Sequence, residues 1–259
     1  MRLKMLVPRE HGAYGQVGFP IAASVAAGHF TVAGLALTAG FVAAFLAHES
    51  LLVLLGARGQ RARRERRETA IRIGTSLSIV AVVGVSIGAA LMPVQDRWTI
   101  LVPAACAAGI FALALRHLEK STTGEMFVAL ACASCALPVG AACGIPPRAA
   151  TLIWLVMTLG YWAATAAVRG TIAVQRRESH AVLRFSGAVL AIAAPPTVLM
   201  AGQALVLRPL IWTAALPLSI LSLALAVAPP HARHLRRVGW GLIAASALSA
   251  VLLAVFLRQ

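Results

Sequence analysis

Three groups of residues have the types and spacing for chemistry. The first is His48-Glu49-Ser50, which interrupts an apolar run and is followed by Leu51-Leu52-Val53-Leu54-Leu55. That setting places Glu49 about one helical turn inside an apolar span. A carboxylate there needs a partner, and by default it marks a function. The same placement suits a structural ion pair with an arginine from a neighbouring loop. The second group is the run Pro8-Arg9-Glu10-His11-Gly12-Ala13-Tyr14-Gly15-Gln16. Glu10 and His11 can act as an acid–base pair near neutral pH. Alternatively the run is an anchor, with Arg9 at headgroups and Tyr14 in an interfacial aromatic belt. Gln16 fits a simple anchor poorly, because an amide facing lipid is costly.

The third group is arginine. Residues 58–72 hold Arg58, Arg61, Arg63, Arg64, Arg66, Arg67 and Arg72, and residues 169–184 hold Arg169, Arg176, Arg177 and Arg184. The planar guanidinium fork binds phosphate oxygens two at a time, so two such loops converging over one site would clamp a phosphate or diphosphate. The plainer reading is topology and contact with anionic lipid. The clusters also share a pattern: Arg58-Gly59 precedes Arg63-Arg64-Glu65, and Arg169-Gly170 precedes Arg176-Arg177-Glu178.

The elements that must position these groups are membrane spans. Of 259 residues, 60% are hydrophobic and 12% are charged, against roughly 25% charged in a soluble domain. Mean hydropathy is +0.85. Nine apolar segments emerge, near 13–29, 32–55, 71–92, 99–115, 124–144, 149–168, 184–206, 209–228 and 238–256. Each is long enough to cross, or nearly cross, a hydrocarbon core of ~30 Å. The expected fold is all-α: one transmembrane domain over 1–259. The shared arginine pattern suggests a pseudo-repeat of 1–118 and 119–232, followed by a ninth span. With these limits, 19 of the 23 Lys and Arg fall on the side of the N-terminus and 4 on the other. The positive-inside rule then predicts a cytoplasmic N-terminus and an outer C-terminus. The first segment reads on into this multi-span pattern, so no cleavable signal peptide is expected.

Several classes are disfavoured. The net charge of +15 sits between apolar spans, which argues against nucleic acid. No His lies at mid-membrane depth, which speaks against a two-His membrane haem. Acidic residues are missing from the span centres, as are Walker, His-Glu-x-x-His and Gly-x-Ser-x-Gly motifs. Cys106, Cys132, Cys135 and Cys143 all lie in apolar stretches. They read as packing residues, with a redox or metal role for Cys132-x-x-Cys135 as the lesser alternative.

Two features match a known family. Pro8-Arg9-Glu10-His11-Gly12-Ala13-Tyr14 resembles the N-terminal Pro-x-x-His-Gly-Ala-aromatic run of the YwiC-like bacterial membrane proteins. Nine spans with polar loops 2–3 and 6–7 on the side of the N-terminus look like the UbiA superfamily of prenyltransferases, to which that family is related. The resemblance implies a nine-helix bundle in the bacterial inner membrane around a lipid-open cavity. It also implies Mg²⁺ held by two Asp-rich motifs, and transfer of a prenyl group from its diphosphate. Carried over, His48-Glu49 take the opening pair of the first motif, its later acidic positions fall on Leu52 and Gly56, and the second motif has only Glu178 nearby. The expectation is therefore a lipid- or isoprenoid-binding site that uses arginine in place of metal. Its ligand residues are Gln16, His48, Arg58, Arg61, Arg64, Arg169, Arg176, Arg177 and Glu178, with Glu49 and His11 as acid–base candidates. The alternative is a non-catalytic binding, assembly or transport component on the same bundle.

Overall fold

The computed structural model describes residues 11–116, 118 and 120–258. They form an all-helical bundle: α1 (His11–Ala27), α2 (Val32–Leu54), α3 (Gln60–Leu91), α4 (Leu101–Leu115), α5 (Thr122–Ser134), α6 (Ala136–Ala142), α7 (Pro147–Gln175), α8 (Ala181–Ala204), α9 (Leu216–Val227) and α10 (Leu235–Leu257). Seven-residue 3₁₀ helices, Val94–Ile100 and Pro209–Ala215, run directly into α4 and α9. α5 and α6 together make one span. The chain stops being regular at Cys135 because Pro138 has no N–H for Ser134 and its ring crowds that carbonyl. Nearby, Ser24 of α1 donates to Ala136 O at 3.1 Å, which ties α1 to this span beside the break.

Eight of these segments are long and apolar enough to cross a membrane. The ninth is α1, whose described part has 17 residues and packs inward through Val17, Ile21, Ala23 and Ala27. The chain is a multi-pass membrane protein. The expected limits hold for most segments, with two consequential differences. α3 begins at Gln60, so Arg61, Arg63, Arg64, Arg66, Arg67 and Arg72 stand on a helix and not in a loop. Arginine favours helix, and a charged first third is stable where water reaches it. α7 continues to Gln175, so Arg169-Gly170 also lies within a helix. Arg58-Gly59 does fall in a turn, so the two Arg-Gly pairs occupy different kinds of structure.

α5–α6 and α7 form the centre, and their most apolar stretches are 72% and 61% buried, against 11% for α3. α7 packs on α5, α6, α8 and α9, and α10 closes against α1 and α9. α3 packs on α2 and makes no substantial contact with α7 or α8. The α2–α3 contact runs through small residues. A Cβ at Gly84 would lie 2.7 Å from Ala36 O and 2.9 Å from Gly40 Cα, and one at Gly88 would lie 2.4 Å from Leu37 Cγ. Gly84 and Gly88 form a small-x-x-x-small pair, the spacing that lets membrane helices approach to backbone contact.

Replacing Gly84 with Leu should therefore pry α2 from α3 and cost roughly 1–3 kcal/mol or more by overpacking. Gly239→Ala, where nothing lies within 4 Å, should be neutral or slightly stabilising. Thermal unfolding of the two purified variants beside the parent checks both.

Candidate functional site

Most of the charged residues gather at one end of the bundle, and hydrogen bonds tie that end together. Tyr14 of α1 meets Phe45 of α2 edge to face, with centroids 5.8 Å apart. One helical turn beyond Phe45, Glu49 receives a two-pronged bond from Arg58: Nε to Oε1 at 2.8 Å and Nη2 to Oε2 at 2.5 Å. The Glu49 side chain is 12% exposed and that of Arg58 is 38% exposed. Arg58 can reach back because α2 ends in a tight turn at Gly56, φ +79°, a conformation that glycine adopts without penalty.

A second pair has the same form. Arg169, near the end of α7, donates to Glu125 at the start of α5 through Nε (2.7 Å) and Nη2 (2.5 Å), and also to Lys120 O. Two turns earlier on α7, Trp162 Nε1 donates to Met126 O at 2.7 Å. Tyr161 crosses to α1 and donates to Gly15 O at 3.2 Å. That carbonyl is next to the one on Gln16 that Pro20 leaves without its helical donor.

Beyond the Arg169 pair, α7 ends in a cap with Arg177 in the left-handed region, φ 57°. Arg177 N donates to Val174 O and Glu178 N to Ala173 O, the pairing of a Schellman motif with arginine where glycine is usual. Arg176, Arg177 and Glu178 are exposed. Just past the cap, His180 donates from Nδ1 to Glu178 O at 3.0 Å. Arg184 binds the last carbonyls of α9, Ala226 O at 2.7 Å and Val227 O at 2.8 Å, where a cation also complements the helix dipole. Here His180, Arg184, Phe185, Ala188, Ala226 and Val227 line an open groove of about 410 Å³.

The expected site residues thus divide. Arg58 and Arg169 are each joined to a carboxylate, and Arg61 to Glu65 one turn on at 2.7 Å. Arg64, Arg176 and Arg177 are exposed. Gln16 and His48 are half-buried on α1 and α2. His11 opens α1, but its side chain, like all of Glu10, lies outside the described residues. Among the described residues α3 makes no substantial contact with α7 or α8, so helix packing does not bring the two arginine clusters together. Sequence reasoning missed Glu125 and His180, and it placed Arg184 in the second arginine cluster but not among the ligand residues. Glu125 had a signal: it is the one carboxylate between Glu119 and Glu178, opposite an arginine on a central span.

The residues present do not fit the magnesium site that a UbiA resemblance implies. Both oxygens of Glu49 are used by Arg58, the positions further along are buried Leu52 and the turn residue Gly56, and Glu125 is closed by Arg169. Among the described residues no group of three or more His, Cys, Asp or Glu can hold a metal. The four cysteines are buried and free.

Among known proteins, the family model described as YwiC-like protein matches residues 7–140, from just before α1 to within α6. No curated protein and no solved structure matches.

The Glu49–Arg58 pair predicts an asymmetry. Arg58→Gln leaves a nearly buried carboxylate alone and should cost about 2–3 kcal/mol, whereas Glu49→Gln leaves an arginine that can reach water and should cost about 1 kcal/mol or less. Chemical unfolding of both variants in one detergent checks the order.

Proposed function

The chain belongs to the YwiC-like family, and we propose that it binds an anionic amphiphile, such as an isoprenoid diphosphate, at the arginine-rich end of a UbiA-like bundle. By the positive-inside rule that end faces the cytoplasm of a bacterial inner membrane. The observation that carries the reading is the groove between the start of α8 and the end of α9. Its mouth has His180 and Arg184, with exposed Arg176 and Arg177 a few residues away, and its floor is Ala188, Ala226 and Val227. A mouth with His180 and Arg184, preceded in the chain by the exposed Arg176 and Arg177, beside an apolar lining suits a charged head on a hydrocarbon tail.

The chemistry follows from the guanidinium. Arg176 and Arg177 supply paired N–H donors to phosphate oxygens. Arg184 is held in place by the α9 carbonyls, so its charge is fixed before any ligand arrives. Fixed cations of this kind can neutralise a diphosphate without metal. Glu49 offers little as a proton acceptor while Arg58 occupies both its oxygens, so the arrangement supports binding more than prenyl transfer.

Thermal unfolding with a prenyl diphosphate tests the reading. A ligand at 100 times its Kd stabilises by about 2.7 kcal/mol, and that shift should persist in EDTA. The double variant Arg176→Gln/Arg177→Gly removes both charges and places glycine in the left-handed cap, where it costs nothing. It should keep its own melting temperature and lose most of the ligand shift. An undiminished shift in that variant would sink the proposal, and prenylated product appearing without metal would make the site catalytic.

A further inference from the structure

A second groove lies between α2 and α3, and it goes beyond the reading above. Its volume is about 480 Å³. Ala47, Leu51 and Leu54 form one wall, and Gly74, Ser78 and Val82 belong to the other. It opens on the flank of α3, where Val82 is 66% exposed. Along α3 the lining runs from Ile71 to Val83, which at 1.5 Å per residue is about 18 Å.

The groove is continuous with part of the arginine cluster. Seven residues are close to two helical turns and four are close to one. Arg64 therefore stands two turns above Ile71 on the groove's own line, and Arg67 one turn above it, slightly to the side. Both are exposed, and neither is in an ion pair among the described residues, unlike Arg61 with Glu65. Glu68 stands one turn from both Arg64 and Arg72, an i,i+4 neighbour of each, and one carboxylate among Arg64, Arg67 and Arg72 leaves the mouth of the groove positive.

Length selects the occupant. One leaflet is half of a ~30 Å core, so a groove of about 18 Å holds one leaflet-length acyl chain, and a long polyisoprenoid would overrun it. We propose that the α2–α3 groove binds one acidic glycerophospholipid of the leaflet on the arginine side, its acyl chain against Leu51 and Val82 and its phosphate on Arg64 and Arg67. The site is separate from the α8–α9 groove and stands without it.

Native mass spectrometry of the delipidated full chain, titrated with phosphatidylglycerol or phosphatidylcholine, tests this. The parent should hold one phosphatidylglycerol at least tenfold more tightly than phosphatidylcholine. Each arginine near the surface contributes ~1 kcal/mol, or about fivefold. Arg64→Gln/Arg67→Gln should therefore weaken phosphatidylglycerol roughly 30-fold, to near the phosphatidylcholine level. Ser78→Trp, at an exposed position on the open side of the groove, should weaken both lipids. Arg236→Gln/Arg237→Gln on α10 should change neither, and circular dichroism confirms that each variant is folded. If Ser78→Trp does not fold, the Arg64/Arg67 variant decides alone. Equal affinity of the parent for the two lipids overturns the proposal. So does an equal loss in the α10 variant, or displacement of phosphatidylglycerol by an equimolar polyprenyl phosphate. Arg176→Gln/Arg177→Gly should retain the phosphatidylglycerol, so failure of this site and failure of the α8–α9 site appear in different variants.

Discussion

Close backbone approach through small residues is the constraint on which this bundle rests. In lipid, burying apolar side chains gives no net driving force between helices, so van der Waals fit has to supply it. Gly40, Gly84 and Gly88 bring α2 and α3 together, Gly187 lies against Ala167 where α8 meets α7, and Gly160 seats Leu218 of α9. These contacts decide where the grooves lie. α7 is surrounded and becomes the centre, whereas α3, held by α2 alone, leaves a long flank open.

That packing in turn determines which charges are committed. Two carboxylates inside the arginine-rich end are each gripped by a forked arginine, Glu49 by Arg58 across a turn and Glu125 by Arg169 across two helices. A third arginine, Arg184, secures the end of α9. Arg64, Arg67, Arg176 and Arg177 are among the arginines that remain exposed. The arginines with a structural use are thus identified, and the exposed ones are those left for the proposed binding.

Much of this could be read in advance, for identifiable reasons. Apolar run lengths and the alternation of basic residues located the helices well, because both follow from bilayer thickness and membrane orientation. The helix ends at Gln60 and Gln175 were misplaced because arginine is a good helix former. Hydropathy locates where lipid begins, and the helix continues beyond it. The Glu49 pairing was anticipated in kind. Glu125 with Arg169 was not, because 44 residues separate them and only the packing of α5 on α7 joins them. The grooves were not legible at all, since each depends on which helix faces lack a neighbour.

The length of α3 has a consequence for the membrane itself. The helix spans 32 residues, about 48 Å, but its last charged residue is Arg72. From there to Leu91 the uncharged stretch is about 28 Å long, close to the ~30 Å of an average hydrocarbon core. Tilting α3 strongly would draw Arg72 under the headgroups, and a much thicker bilayer would do the same. Because α3 is locked to α2 at Gly84 and Gly88, the hairpin responds as one body. The α2–α3 unit is thereby matched to a narrow range of bilayer thickness, and membranes outside that range would load the α2–α3 seam by hydrophobic mismatch.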